Sequence, residues 1–175
     1  VHGLWALERL GSLDGELISR LAKDSDRAVR VHLLKALAER ADLGRGGNDL
    51  RDIVISKLAD PDAFVRRAAA GTLRRHAASE NIGPLLKLWS ATPAEDTQLI
   101  HTVRMALRDN LRNSNVFAMA TRNIGDRPEE MARLSDVCLG LPNKQSARFL
   151  FGFIRNEGAK SPRMTAYLRH ATRYL

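Results

Sequence analysis

The residues of this chain whose types could do chemistry are few and scattered. Its 175 residues hold five histidines, one cysteine, and 28 Lys and Arg against 20 Asp and Glu, giving a formal charge of +8 and a pI near 10.4. His2 and His32 occupy matching positions, and His101 falls near the matching face of a later helix, a pattern that could bring imidazoles to a metal. Stacked helices lie about 10 Å apart, too far for adjacent imidazoles to share a zinc at about 2 Å. No metal or other cofactor is therefore expected. Arg67, Arg74 and Arg75, followed by Arg104, Arg108 and Arg112, could form a basic strip able to hold phosphates, with binding that weakens as salt rises. No aromatic residue interleaves with these arginines in the sequence to stack on bases, so a solvated or protein-facing strip is the expectation and nucleic-acid binding the alternative. Ser, His and Asp fall on different helices, and no nucleophile elbow, glycine-rich phosphate loop or His-Glu-x-x-His string is present. The chain is expected not to be an enzyme, with Cys138 in Val137-Cys138-Leu139 a small buried hydrophobe.

The elements that must position these side chains come from an internal repeat. Asp24-Ser25-Asp26-Arg27-Ala28-Val29-Arg30 is matched by Asp60-Pro61-Asp62-Ala63-Phe64-Val65-Arg66, and upstream Ile18-Ser19-Arg20-Leu21-Ala22 is matched by Ile55-Ser56-Lys57-Leu58-Ala59. Each unit of about 36 residues reads as an apolar helix, an Asp-rich turn and a second helix with Val-Arg near its start. Asp24 and Asp60 sit where an N-cap or an Asx-turn is wanted, and Pro61 suits the first turn of a helix. In the second helices Val29, Leu33, Leu34, Ala36 and Leu37 match Val65, Ala69, Ala70, Thr72 and Leu73, one apolar stripe at helical spacing. Val1-His2 and Ala6-Leu7 recur as Val31-His32 and Ala36-Leu37, so the sequence opens inside a repeat.

Further helices are expected over 82–90, 94–111, 116–122, 128–139, 144–155 and 161–174, with turns at Thr92-Pro93, Gly125-Asp126, Gly140-Leu141-Pro142 and Gly158 to Pro162. Clear repeats fall at about 15–40 and 50–77, divergent ones at 80–112, 114–140 and 143–175, within one repeat domain spanning 1–175. The polar stretch Gly44 to Asp49 reads as a flexible connection between repeats. Trp89, in Leu85-Leu86-Lys87-Leu88-Trp89, reads as core, whereas Trp5 aligns with Lys35 and is expected on the exposed side of its helix or covered by terminal packing. Phe149, Phe151 and Phe153 cannot all face inward, because alternate helical residues diverge by about 200°.

Antiparallel helix pairs with Asp-x-Asp-x-x-Val-Arg at the turn resemble the HEAT repeat, which implies an all-α solenoid, an alpha-alpha superhelix of about four to five antiparallel helix pairs. In that arrangement Asp24, Arg30, Asp60 and Arg66 would form a structural ladder between adjacent turns. The strings His2-Gly3-Leu4-Trp5-Ala6-Leu7-Glu8-Arg9-Leu10-Gly11, Glu95 to Asp109, and Leu134-Ser135-Asp136-Val137-Cys138-Leu139-Gly140 are similar to the HEAT segment of planctomycete and verrucomicrobial membrane-bound dehydrogenase-like, haem-binding proteins. That resemblance implies a bacterial, extracytoplasmic module between a sugar-dehydrogenase-like propeller and a c-type cytochrome. No Cys-x-x-Cys-His and no run of strands occurs in this sequence, so neither redox chemistry transfers to any of its residues. Alkylpurine DNA glycosylases also work on a HEAT-like solenoid, with Trp, Asp and Arg on the concave face, which directs attention to Trp5, Trp89, Asp109 and Arg108.

With no apolar run long enough to span a bilayer and no signal-peptide pattern at Val1-His2-Gly3-Leu4-Trp5, the segment is expected to be a fragment of a larger chain that does not itself insert in a membrane. Its apolar end, Tyr167, Leu168, Tyr174 and Leu175, would normally be covered by further residues. The expected role is a non-catalytic protein-interaction or spacer module, touching a protein partner or neighbouring domains through His32, Lys35, Arg67, Arg74, Arg75, His101, Arg104 and Arg108.

Overall fold

The computed structural model describes residues 1–44, 50–125, 127–157 and 161–175. The glycine-rich connection expected at Gly44 to Asp49 lies outside the described residues from position 45 on, as do Asp126 and residues 158–160 of two expected turns. Among the described residues every regular element is helical: α1 (His2–Arg9), α2 (Gly15–Leu21), α3 (Arg27–Leu37), α4 (Leu50–Ser56), α5 (Ala63–Arg75), α6 (Ile82–Ala91), α7 (Thr97–Leu111), α8 (Ser114–Ile124), α9 (Pro128–Cys138), α10 (Lys144–Glu157) and α11 (Met164–Tyr174), with short 3-10 turns at Lys57–Ala59 and Ser79–Asn81. The chain is an all-α solenoid of helix pairs. It divides into two compact units, Val1–Asn110 and Leu111–Leu175.

In the first unit the aspartates divide the work at each turn. Asp24 and Asp60 accept the amides of Asp26 and Asp62 at 2.8 and 3.0 Å, each an Asx-turn. The caps are the next aspartates: Asp26 accepts from Ala28 N, and Asp62 from Phe64 N and Val65 N. Pro61 therefore precedes the cap, where its fixed φ shapes the turn, and is not a helical residue. The helix expected from Ala94 starts at Thr97, because Asp96 is the residue whose carboxylate reaches a first-turn amide, Leu99 N at 3.0 Å.

The apolar stripe packs as its spacing requires. Leu33, Leu34, Ala36 and Leu37 of α3 and Val65, Ala69, Ala70 and Leu73 of α5 are buried, while Val29 is half-buried. Alanines at three of these sites let α3 and α5 come close enough for the Thr72 hydroxyl to reach the Leu34 carbonyl at 2.8 Å. In α1 only Leu4 is buried and Ala6 is exposed, unlike its counterpart Ala36.

A buried polar cluster joins the C-terminal ends of α5 and α7 to the 3-10 turn at Ser79–Asn81. Asn110, fully buried, donates to Leu73 O and Ala106 O at 3.0 and 2.8 Å and accepts from Ala78 N and Asn81 Nδ2 at 2.9 Å. Arg51 of α4 reaches Asn81 Oδ1 and His76 O.

In the second unit, Phe117 meets Phe149 edge-on and Phe153 meets Tyr167 in the same way, at centroid distances of 5.9 and 5.7 Å. Phe151 is the exposed member of its trio, and Phe153 the buried one. Cys138 is buried, and burial pushes its thiol well above the ordinary range, so no ready thiolate forms.

Candidate functional site

Helices α1, α3, α5 and α7 of the first unit line a trough. A cavity of about 710 Å³ is bounded by Trp5 of α1, His32 and Lys35 of α3, Phe64, Arg67, Gly71 and Arg75 of α5, and Thr102 of α7. A second cavity of about 800 Å³ shares Arg67 and Thr102 with the first and adds Gln98, His101 and Arg104. Sharing those two residues, the cavities run together across the array. Six of the eight expected contact residues, His32, Lys35, Arg67, Arg75, His101 and Arg104, thus border one trough.

The remaining two, Arg74 and Arg108, line neither cavity. They converge on Asp109, with Arg74 Nε 2.5 Å from one carboxylate oxygen and Arg108 Nη2 3.0 Å from the other. Burial alone would raise the Asp109 carboxyl; the bonds from Arg74 and Arg108 outweigh it and hold the group below the usual carboxylate range. The continuous arginine strip expected from the sequence is therefore interrupted by local pairing. The same pairing commits Asp109 to two arginines, which argues against a glycosylase-like role for it. Arg112 belongs to the second unit.

Within the trough, Trp5 is half-buried and its Nε1 donates to His32 Nδ1 at 3.1 Å, the two rings lying edge to face. Accepting there requires a neutral imidazole with its proton on Nε2. Burial first and the Lys35 charge second hold His32 below its ordinary value of 6.5. As pH falls through that lowered midpoint, Nδ1 becomes a donor and the Trp5 bond is lost. In a Trp89→Phe background, Trp5 emission is expected to titrate with a midpoint below 6.5 and to stop titrating in His32→Gln; a midpoint at or above 6.5 contradicts the assigned tautomer.

Structure brings aromatic rings to the cations, which the sequence order had concealed. Arg67 and Arg27 approach the exposed Phe64 ring at 4.7 and 5.0 Å from its centroid, and Arg104 lies 5.6 Å from the Trp89 ring. Trp89 is half-buried, not core. Arg67 also donates to Gln98 Oε1 at 2.5 Å, so its guanidinium is fixed between α5 and α7. Lys35 and Arg75 are exposed, and no hydrogen bond or ion pair engages either among the described residues. The trough's acid, Glu39, stands 3.8 Å from Arg9.

The turn residues sit together at another edge. Arg30 grips Asp60 of the next turn through both carboxylate oxygens, at 3.1 and 3.2 Å, and its Nη1 donates to Asp24 O and Ser25 O of its own turn. Arg66 repeats only the second half, donating to Asp60 O and Pro61 O. These four residues make one rung between turns and two local braces. Among the described residues no group of three or more His, Cys, Asp or Glu could hold a metal ion, and no helix is long and apolar enough to cross a membrane.

A family pattern for HEAT repeats matches residues 15–108, more than half of the chain. The chain belongs to the HEAT-repeat family. No curated protein and no solved structure matches it. In this HEAT array the trough is built by the second helices of successive pairs together with α1. Phe64, Gly71, Gln98 and Thr102 are among the lining residues that sequence reasoning missed. Phe64 carried a signal, because the matching position of the first repeat is Ala28, and a large apolar residue in an exposed first turn has no packing purpose of its own.

Proposed function

We propose that this chain is a non-catalytic protein-interaction and spacer module of a larger multidomain protein, with the trough across α1, α3, α5 and α7 as its contact face. The observation that carries this reading is the combination of rigid walls with uncommitted cations. Trp5, His32, Phe64 and Arg67 are fixed by mutual contacts, while Lys35 and Arg75 remain available to a partner. A preformed face of this kind binds without the entropic cost of ordering loops. HEAT repeats commonly mediate protein interactions. The similarity to the HEAT segment of planctomycete and verrucomicrobial dehydrogenase-like, haem-binding proteins supports a bacterial, extracytoplasmic parent whose redox chemistry resides in other domains.

The test uses the full-length parent protein carrying a photo-crosslinking amino acid at Lys35 or, on α4 and away from the trough, at Asp52. Polypeptide adducts from position 35 and none from position 52 are expected. Equal labelling, or none, removes the trough as the contact face. In parallel, duplex DNA binding is followed by fluorescence anisotropy with increasing salt. Binding that persists near about 150 mM salt and disappears in Lys35→Glu/Arg75→Glu would replace this reading with a nucleic-acid-binding solenoid.

A further inference from the structure

We infer that the trough accepts an extended acidic segment of a partner polypeptide, with one large apolar side chain seated over Gly71. This rests on the protein-interaction reading above and names the chemistry of the partner. Three observations converge on it.

The first is charge. The rim carries Lys35, Arg67 and Arg75, and its acid, Glu39, is paired with Arg9. A carboxylate-rich chain meets that potential, a basic one is repelled, and the attraction is strongest where the cations have no partner inside the protein. The second is the floor. Gly71 lies in the middle of α5, where glycine costs roughly 1 kcal/mol of helix stability relative to alanine. A Cβ at this position would meet nothing within 4 Å, so no neighbouring element demands a glycine. The space above it opens into the cavity that Trp5 and Phe64 also line. An open floor in a cavity that also carries aromatic rings suits an apolar anchor flanked by charges, the arrangement in which a single side chain carries much of an interface's energy.

The third is length. Four helices at about 10 Å spacing span roughly 30 Å, which an extended chain covers in about nine residues at 3.3 Å each. In that form one flank meets Lys35 on α3, the helix packed beside α5, while Arg75 lies one turn from Gly71 on α5 itself.

The test measures binding of fluorescein-labelled nine-residue peptides to residues 1–175 by anisotropy. One peptide is Glu and Asp with a central Phe, the second has Ser in place of Phe, and the third has Lys in place of every acid. The first is expected to bind at least about tenfold more tightly than the second, and the third not to bind. Gly71→Leu fills the floor and is expected to weaken the first peptide at least about tenfold while melting no lower than the parent. Gly71→Ala, a smaller filling, controls for folding. Lys35→Glu/Arg75→Glu should weaken both acidic peptides equally. Equal affinity for the Phe and Ser peptides, or unchanged binding in Gly71→Leu, overturns the anchor. Absence of binding by all three overturns the inference outright. Failure here with position-35 crosslinking intact leaves the interaction reading standing, whereas loss of crosslinking removes that reading itself.

Discussion

Asn110→Ala is expected to lower the unfolding free energy of the first unit by about 3 kcal/mol, the largest single effect available from a polar side chain in this array. The carboxamide occupies no solvent-facing position and uses both of its ends: two protons go to the Leu73 and Ala106 carbonyls, and its oxygen takes protons from the Ala78 amide and the Asn81 carboxamide. Removing it strands the Ala78 amide, while the Leu73 carbonyl keeps the His76 amide and Asn81 Nδ2 at 3.3 and 3.4 Å, and Asn81 Nδ2 keeps the His76 carbonyl. A buried unsatisfied group costs roughly 1 to 3 kcal/mol, and Ala106 keeps its helical bond, so the total combines the stranded Ala78 amide with the loss of the carboxamide's other bonds. Asn110→Asp should be at least as harmful, since it supplies no proton to either carbonyl. Urea denaturation followed by circular dichroism reads the effect as a fall of about 1.5 M in midpoint for a slope near 2 kcal/mol/M. Asn123→Ala, at an exposed site, should stay within about 0.5 kcal/mol. A loss for Asn110→Ala no larger than that control would mean water replaces the carboxamide, and the cluster would not be a fastening.

Asp60→Ala comes next, at about 3 kcal/mol. The side chains of Arg30 and Asp60 are only 12% and 5% exposed, and the pair is bidentate. Deleting one ion of such a pair strands the other in a poorly solvated place, which costs more than the pair contributes. Arg30 keeps two carbonyls of its own turn, and this moderates the loss. Asp60→Ala also removes the acceptor for the Asp62 amide, the Asx-turn that sets up the α5 cap. Arg30→Met should cost less, about 2 kcal/mol, and Arg30→Met/Asp60→Ala should fall short of the sum of the two single changes by at least about 1 kcal/mol. Strict additivity in that cycle would show that the two side chains act independently across the turns.

The helix pairs, their turns and the buried stripe were legible because repetition displays them twice: Asp24 to Arg30 and Asp60 to Arg66 agree in type and spacing, and both fold alike. The Asn110 cluster was hidden for a physical reason. The Leu37 and Leu73 carbonyls are equivalent positions at the ends of α3 and α5, and both accept a side-chain donor from the following pair. One receives it from His76 Nε2 at 3.1 Å and the other from Asn110 Nδ2 at 3.0 Å. Equal geometry met by different residue types leaves no matching string to find. The basic strip failed in the opposite way. Arginines at regular intervals share a helix face, but Arg74 and Arg108 lie within reach of Asp109 and turn to it, while Arg67 lies across Phe64 toward Gln98. Long side chains choose among partners that only the stacking of helices supplies, and Phe64 and Gly71 gained their roles from that stacking too.

The bonds between repeats also impose an order in time. Arg30 awaits Asp60, Leu34 awaits Thr72, Leu37 awaits His76 and Leu73 awaits Asn110, each partner lying 30 to 39 residues further along the chain. A ribosome adding about 5 to 20 residues per second delivers such a partner roughly 2 to 8 s after the residue it completes. During that interval Arg30 can hold the carbonyls of Asp24 and Ser25, so its guanidinium has a resting place before Asp60 emerges. The first unit is thus suited to consolidate one repeat at a time behind the growing end, each newly made pair of helices locking the one before it.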